Sequence, residues 1–273
     1  MSRKIVFELS IILLLTSGVC LAGKDAESST SCQAKDTDVN SVDVVLEQLR
    51  QRMAKVQSYQ ADVEYRYKQP LLESESLRKG VFYYAKFGQR SKLRVNFQTL
   101  KQDQEKEQQY VEHFIFDGVW LMYIDHQTKQ SKMYQLVEPN KPADVFEMAS
   151  KNLPMIGFTK IEDLKKHFEI KLVEPTKDEE KNLIHLQLKT RPASTYKDRY
   201  SSIDFWIDRK LTLPAKVLAV TTEPEPPFSD VYEIKLLKPK VDQKVDNKLF
   251  ELTIPDGFSK PEVVPLKKKA DQG

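Results

Sequence analysis

The sequence predicts a mainly β protein, a meandering antiparallel sheet of about a dozen strands with a helix before it and a helical insertion inside it. Three observations lead there. From Tyr59 onward apolar residues recur at every second position in run after run, the period of strands with one face toward an interior. Turn signals separate the runs at short intervals, which makes neighbouring runs antiparallel partners. Two stretches, before Tyr59 and between 139 and 167, have helical spacing instead.

The chain has 273 residues, 40% apolar and 30% charged, with a formal net charge of +3. That supplies a core and a charged exterior for one large β domain or two small ones, and no internal repeat or second domain is legible. So small an excess of positive charge, spread along the chain, argues against nucleic acid as a partner.

At the N-terminus, Arg3 and Lys4 precede an apolar run from Ile11 to Leu15, and Cys20-Leu21-Ala22 places small residues at −3 and −1 of a cut before Gly23. This predicts a cleaved signal peptide over 1–22, too short for a spanning helix, with Glu8 as its one costly residue. The protein is therefore expected in the periplasm. Cys20 has a second reading as a lipidated cysteine, but Val19 directly before it and Ser17 three before it fit a lipobox poorly. After cleavage Cys32 alone remains, so no intramolecular disulfide is expected. Residues 23–40, rich in Ser, Asp, Lys and Thr, predict a flexible spacer.

Val42, Val45, Leu46, Leu49, Met53 and Val56 fall on one helical stripe, with Asn40 as the expected cap and Asp43 in the first turn. Alternation then takes over in Val63-Tyr65-Tyr67, Leu93-Val95-Phe97, Ile184-Leu186-Leu188 and Ile203-Phe205-Ile207. Gly80, Phe87-Gly88-Gln89, Asp117-Gly118 and Asp208-Arg209-Lys210 read as turns. Val81–Ala85 and Val119–Ile124 are apolar on both faces and need cover on each side; the helix stripe is the expected cover. Within 139–167, Val145, Phe146, Met148, Ala149 and Leu153 predict a helix, and Thr159-Lys160-Ile161-Glu162 opens a second with a capping-box pattern. Strands are expected to resume at Phe168 and end near Thr253. Residues 259–273, with Pro261, Pro265 and Lys267-Lys268-Lys269, predict an extended basic tail.

Chemistry-bearing motifs are scarce. His113, His126, His167 and His185 lack the spacing of a zinc pair, and no HExxH, Cys-x-x-Cys or G-x-S-x-G is present. The eight glycines form no phosphate-cradling loop. Carboxylates such as Glu105, Glu107 and Glu112 are plentiful, but sequence selects no acid–base pair. The expectation is a protein without enzymatic activity, cofactor or metal.

Several segments, taken in order, resemble the LolA/LolB lipoprotein-localisation family and its LolA-like relatives. They are Val56–Asp62 leading from helix to strand, Gly80-Val81-Phe82, Phe116–Tyr123, Phe205–Asp208 with Leu213–Val217, and Phe250–Phe258, which looks like the family's closing strand. The resemblance covers residues 41–258. It implies an incomplete, half-open antiparallel β-barrel of about 11–12 strands with a helical lid, here 143–167, over a hydrophobic cavity for lipoprotein acyl chains. It also implies an inner-membrane donor, an outer-membrane acceptor and a monomeric carrier. Phe146, Met148, Met155, Ile156, Phe158, Trp120 and Met122 are the expected cavity and lid residues; the lid residues equally fit a filled core. Met suits a wall that re-packs. The family's lid-gating arginine is matched by Arg90, with Arg94 as alternative. Other readings of the same resemblance are a sensor that regulates a membrane partner and a lipid-anchored LolB-like acceptor.

Overall fold

A computed structural model describes residues 41–88, 90–139, 161–174, 182–251 and 253–266. Residues 1–40, expected as signal peptide and spacer, residues 140–160, which hold Phe146, Met148, Met155, Ile156 and Phe158, and the Lys267–Lys269 run lie outside the described residues.

Helix α1 spans Val42–Lys55 and buries Val45, Leu46 and Leu49, the centre of the expected stripe. Its cap is Ser41, one residue later than expected, whose hydroxyl accepts the Val44 amide at 3.4 Å. Asp43 at its first turn and Lys55 at its last oppose the helix dipole with the right signs.

Eleven strands follow as β1 Ser58–Gln69, β2 Ser74–Phe87, β3 Arg90–Gln102, β4 Gln108–Phe116, β5 Trp120–Asp125, β6 Gln130–Gln135, β7 Phe168–Val173, β8 Leu183–Thr190, β9 Tyr200–Asp208, β10 Leu213–Thr221 and β11 Val231–Val241. A short helix α2, Ile161–His167, precedes β7, and β12 is Glu262–Val264. All twelve form one open sheet in the order β12-β6-β5-β4-β3-β2-β1-β11-β10-β9-β8-β7. Two meanders, β1–β6 and β7–β11, meet at the antiparallel seam between β1 and β11. The edges β12 and β7 do not pair with each other, so the barrel stays open as expected.

Directly opposed residues share a face, so the register sorts the side chains. One face, called inner here, carries Tyr59, Ala61, Val63 and Tyr65 on β1, Phe82 and Tyr84 on β2, and Leu93, Val95 and Phe97 on β3. It continues through Phe114 and Phe116 on β4 to Leu121 and Tyr123 on β5. On the other side of the seam it runs through Val217, Phe205, Leu186 and Leu172. These residues and α1 belong to one apolar core. Phe205, Ile203, Leu186 and Leu188 are fully buried, and each such side chain contributes about 1.5–3 kcal/mol.

The outer face holds a correction. The doubly apolar strands β2 and β5 are not covered on their second side by α1, which joins the inner core beside β7, β10 and α2. Their outer side is crossed by the C-terminal segment. After β11 the chain forms a short 3-10 turn, Asn247–Phe250, over β3, where Phe250 meets Phe87 edge-on at 5.7 Å. It then runs to the β5–β6 turn, where Phe258 packs on His126 and the Ser259 amide donates to the Lys129 carbonyl at 3.1 Å. The described residues of 250–258 form a strap without strand structure, where a closing strand was expected. Residues 262–264, placed in a trailing tail by the sequence, pair in parallel with β6 as β12.

Gly80 is a second correction: it lies inside the unbroken β2, not at a turn. A Cβ there would sit 1.9 Å from the Asn96 carbonyl oxygen, at the point where the β2–β3 register shifts. The residue lets two backbones close at a bulge, which bends the sheet. The other expected turns form as turns. Asp117 accepts the amides of Val119 and Trp120, and Asp208 those of Lys210 and Leu211.

Candidate functional site

The inner face of the sheet is the candidate site, and alternation alone builds it. Ten consecutive strands, from β5 to β7, turn an apolar row toward the same side. The helix α1 has β7, β10 and α2 as its main neighbours, and Lys165 of α2 pairs with Asp43 at its first turn. The apolar row continues beyond that footprint across β1 to β5, with Tyr65, Phe97, Phe114 and Tyr123 all buried. Their rings touch in sequence: Tyr65 to Phe97 at 6.2 Å, Phe97 to Phe114 at 6.2 Å and Phe114 to Tyr123 at 4.8 Å. Aromatic side chains in tilted and edge contacts give a large apolar wall with little rotamer freedom.

Toward the end of β2–β5 that carries the 70–73 and 103–107 turns, the inner row changes character. Arg78 stands where Tyr65 of β1 has its β2 partner, and Glu112 where Phe97 of β3 has its β4 partner. Arg78 Nε donates to Glu112 Oε2 at 3.1 Å, and the Tyr123 hydroxyl donates to Glu112 Oε1 at 2.9 Å. Arg78 and Glu112 are 5% and 4% exposed, so the pair is held away from solvent inside an apolar wall. Tyr110 lies under the guanidinium at 5.8 Å. Burial, together with the charges of Glu112 and Asp125, pushes the Tyr123 phenol far above its ordinary range, so it stays a hydrogen-bond donor. Asp125, opposite Glu112, accepts the amides of Gln127 at 2.8 Å and Thr128 at 3.2 Å.

The site residues expected from sequence fall in other places. Trp120 and Met122 alternate with the inward Leu121 and Tyr123 and therefore face outward, Met122 opposite Ile115 and Met133; they do not line the inner wall. A strand apolar on both faces offers two candidate rows, and Trp120 and Met122 belong to the outer one. Arg90 is exposed at the first residue of β3. Arg94 is also outward; its Nη1 donates to the Leu249 carbonyl at 2.6 Å and its Nε to Asn96 Oδ1 at 2.7 Å, so it clasps the C-terminal strap. The inward arginine is Arg78. Extending the alternation of Tyr84, Phe82 and Gly80 by one step reaches Arg78, and stepping back from Phe116 and Phe114 reaches Glu112, so the signal was present in the period.

Two histidines sit in outer-face networks. His113 Nδ1 lies 2.8 Å from Asn96 Oδ1, and burial, with Arg94 and His126 nearby, lowers its pKa to about 4. His185 Nε2 lies 2.8 Å from Asp204 Oδ1 and stacks on Trp206 at 4.2 Å. Among the described residues no group of histidine, cysteine and carboxylate side chains could hold a metal ion, and no helix is long and apolar enough to cross a membrane.

No family model and no curated protein matches the chain. Solved structures do. An uncharacterized conserved protein from Thermus thermophilus is similar over 81% of this chain and 97% of its own, at 11% identity and a TM-score of 0.44. MucB of Pseudomonas aeruginosa, solved in complex with MucA, is similar over 77% of this chain at 12% identity and a TM-score of 0.44; this chain spans 60% of that protein's length. A LolA superfamily protein from Nitrosomonas europaea is similar over 77% of this chain and 97% of its own, at 12% identity and a TM-score of 0.35. Likenesses this distant do not bear on what the inner face does.

Proposed function

We propose that this protein is an exported carrier that takes acyl chains of lipoproteins, or of other lipids, onto the inner face of its sheet and passes them toward the outer membrane without making or breaking bonds. The observation that carries this reading is the unbroken apolar inner row on ten strands, which extends past the footprint of α1. An acyl chain leaving water for such a wall gains about 0.8 kcal/mol per buried CH₂, so a sixteen-carbon chain gains on the order of 10 kcal/mol. Release then needs a partner that offers the chain an equally apolar place. A membrane donor at one end of the route and an acceptor at the other fit that need.

Native mass spectrometry of the protein purified from periplasm tests the reading, with fluorescent fatty-acyl probe uptake as a second measurement. Co-bound acylated species and saturable probe binding are expected. A protein recovered empty that also takes up no probe overturns the proposal. The mature N-terminus is expected at Gly23 with a free amine; a diacylated Cys20 would turn the carrier into an anchored acceptor.

A further inference from the structure

Among the described residues five large apolar side chains stand exposed, and three of them, Leu71, Leu72 and Phe228, occupy two neighbouring turns at one end of the β1–β11 seam. Lys68 and Val231 form the last rung of that seam, with Leu71 three residues after the one and Phe228 three residues before the other. Both turns are held from within. The Glu73 amide donates to the Pro70 carbonyl at 3.1 Å, closing the 3-10 turn Pro70–Leu72 that carries both leucines. The Phe228 amide donates to the Glu225 carbonyl at 3.0 Å, and the Ser229 hydroxyl to the Pro224 carbonyl at 2.9 Å. The Tyr67 hydroxyl at the end of β1 donates to Asp230 Oδ2 at 2.6 Å and ties the two turns to each other. Turns built this firmly hold their apolar side chains outward, where they add nothing to the core. Apolar surface gathered at one exposed place marks a contact with another molecule.

We propose that this tip is a docking surface for a partner protein that presents an apolar pocket bordered by lysine or arginine. Charge selects the partner. Residues 70–73 and 222–230 include no lysine or arginine, while Glu73, Glu223 and Glu225 stand exposed on them. The β3–β4 turn, joined on where Asp103 Oδ1 accepts the Glu75 amide at 2.6 Å, adds exposed Glu105 against Lys106. On the β8–β9 side, joined through the Thr222 hydroxyl and the Lys197 carbonyl at 2.6 Å, Lys197, Asp198 and Arg199 leave the acidic excess in place. The whole chain carries a formal charge of +3, so the tip is opposite in sign to the molecule that bears it. An anionic bilayer repels such a rim, whereas a basic-rimmed pocket complements it. The rim charges steer approach, and the leucines and phenylalanine are the anchors that fill the pocket. This surface is independent of what the inner face carries.

The test uses a fluorescein-labelled amphipathic helical peptide of leucine and lysine as a stand-in for the pocket, its leucine–glutamate counterpart, and vesicles of phosphatidylcholine with and without phosphatidylglycerol. By fluorescence anisotropy the wild-type protein is expected to bind the lysine peptide saturably and at least tenfold more tightly than the glutamate peptide, more weakly at high salt, and to leave both kinds of vesicle unbound in flotation. The triple variant L71S/L72S/F228S is expected to bind the lysine peptide at least fivefold more weakly, with its melting temperature and acyl-probe uptake unchanged. If melting shows that this variant does not fold, Phe228→Ser alone decides, with a loss of at least twofold. E73Q/E223Q/E225Q is expected to lose at least threefold and most of the salt dependence. The proposal is overturned if the wild type does not distinguish the two peptides, if the folded serine variant binds as the wild type does, or if the wild type floats with vesicles and the serine variant does not, which would make the occupant a membrane. Failure to take up the acyl probe defeats the carrier reading and leaves these outcomes as they stand.

Discussion

Replacing Gly80 by alanine probes the bend that brings Arg78 and Glu112 together. The added Cβ would lie 1.9 Å from the Asn96 oxygen and 2.7 Å from both the Asn96 carbonyl carbon and the Phe97 Cα, all backbone atoms with no rotamer to yield. A carbon–oxygen approach is tolerable from about 3.3 Å, so β2 and β3 must part locally by roughly 1.4 Å. Ladder bonds near 2.9 Å opened that far are no longer hydrogen bonds, and two or three flank the site. At about 1 kcal/mol each, with part of the loss relieved by twisting, Gly80→Ala should cost about 2–4 kcal/mol. Urea unfolding followed by the fluorescence of Trp120 and Trp206 measures this directly. A loss below about 1 kcal/mol would refute the claim that close backbone approach dictates glycine here.

His113 titrates near 6.5 when unfolded and about 4 when folded, so the unfolded chain binds more protons between those values. Stability is therefore complete above pH 6.5 and falls as pH drops toward 4, by about 1–3 kcal/mol, and H113Q should flatten that slope in melting curves. Arg94→Met removes the clasp on the Leu249 carbonyl and should cost about 1–2 kcal/mol, with faster amide exchange over 247–264 ahead of the rest of the chain; uniform exchange would count against a separately held strap. Phe205→Ala empties a fully buried position and should destabilise by about 3–5 kcal/mol in the same urea assay. Trp120→Ala alters the outer face alone, so acyl-probe affinity should stay within twofold, and a larger change would put that side chain back in the site.

Much of the architecture was legible because alternation is a direct print of one buried face. The α1 stripe, the roughly dozen strands and their antiparallel meander derive from local periods that tertiary contacts reinforced, whereas the opening of the sheet was implied only by the family resemblance. What failed was long-range. The segment from Phe250 to Phe258 reads like a strand because it is apolar, yet Phe250 packs on Phe87 and Phe258 on His126, partners more than a hundred positions away. Gly80 reads like a turn because glycine is usually one, and only the neighbouring carbonyl reveals the closer reason. In the site, Met122 and Trp120 read as well as Leu121 and Tyr123, because a doubly apolar strand carries no sign of which row faces in. Arg78 and Glu112 read as outward residues because charge in a strand is ordinarily on the solvent side.

The seam between β1 and β11 joins residues roughly 160–180 positions apart, whereas every other antiparallel pair is between strands adjacent in sequence. Hairpins of each meander close short loops and can assemble early; the seam must wait for a far larger loss of chain freedom. During synthesis the first strand therefore emerges with one long edge unmatched until almost the whole polypeptide has been made. That edge, with Tyr59, Val63 and Tyr65 beside it, is the surface a nascent chain most needs shielded, which ties efficient maturation to holding factors that bind extended apolar segments.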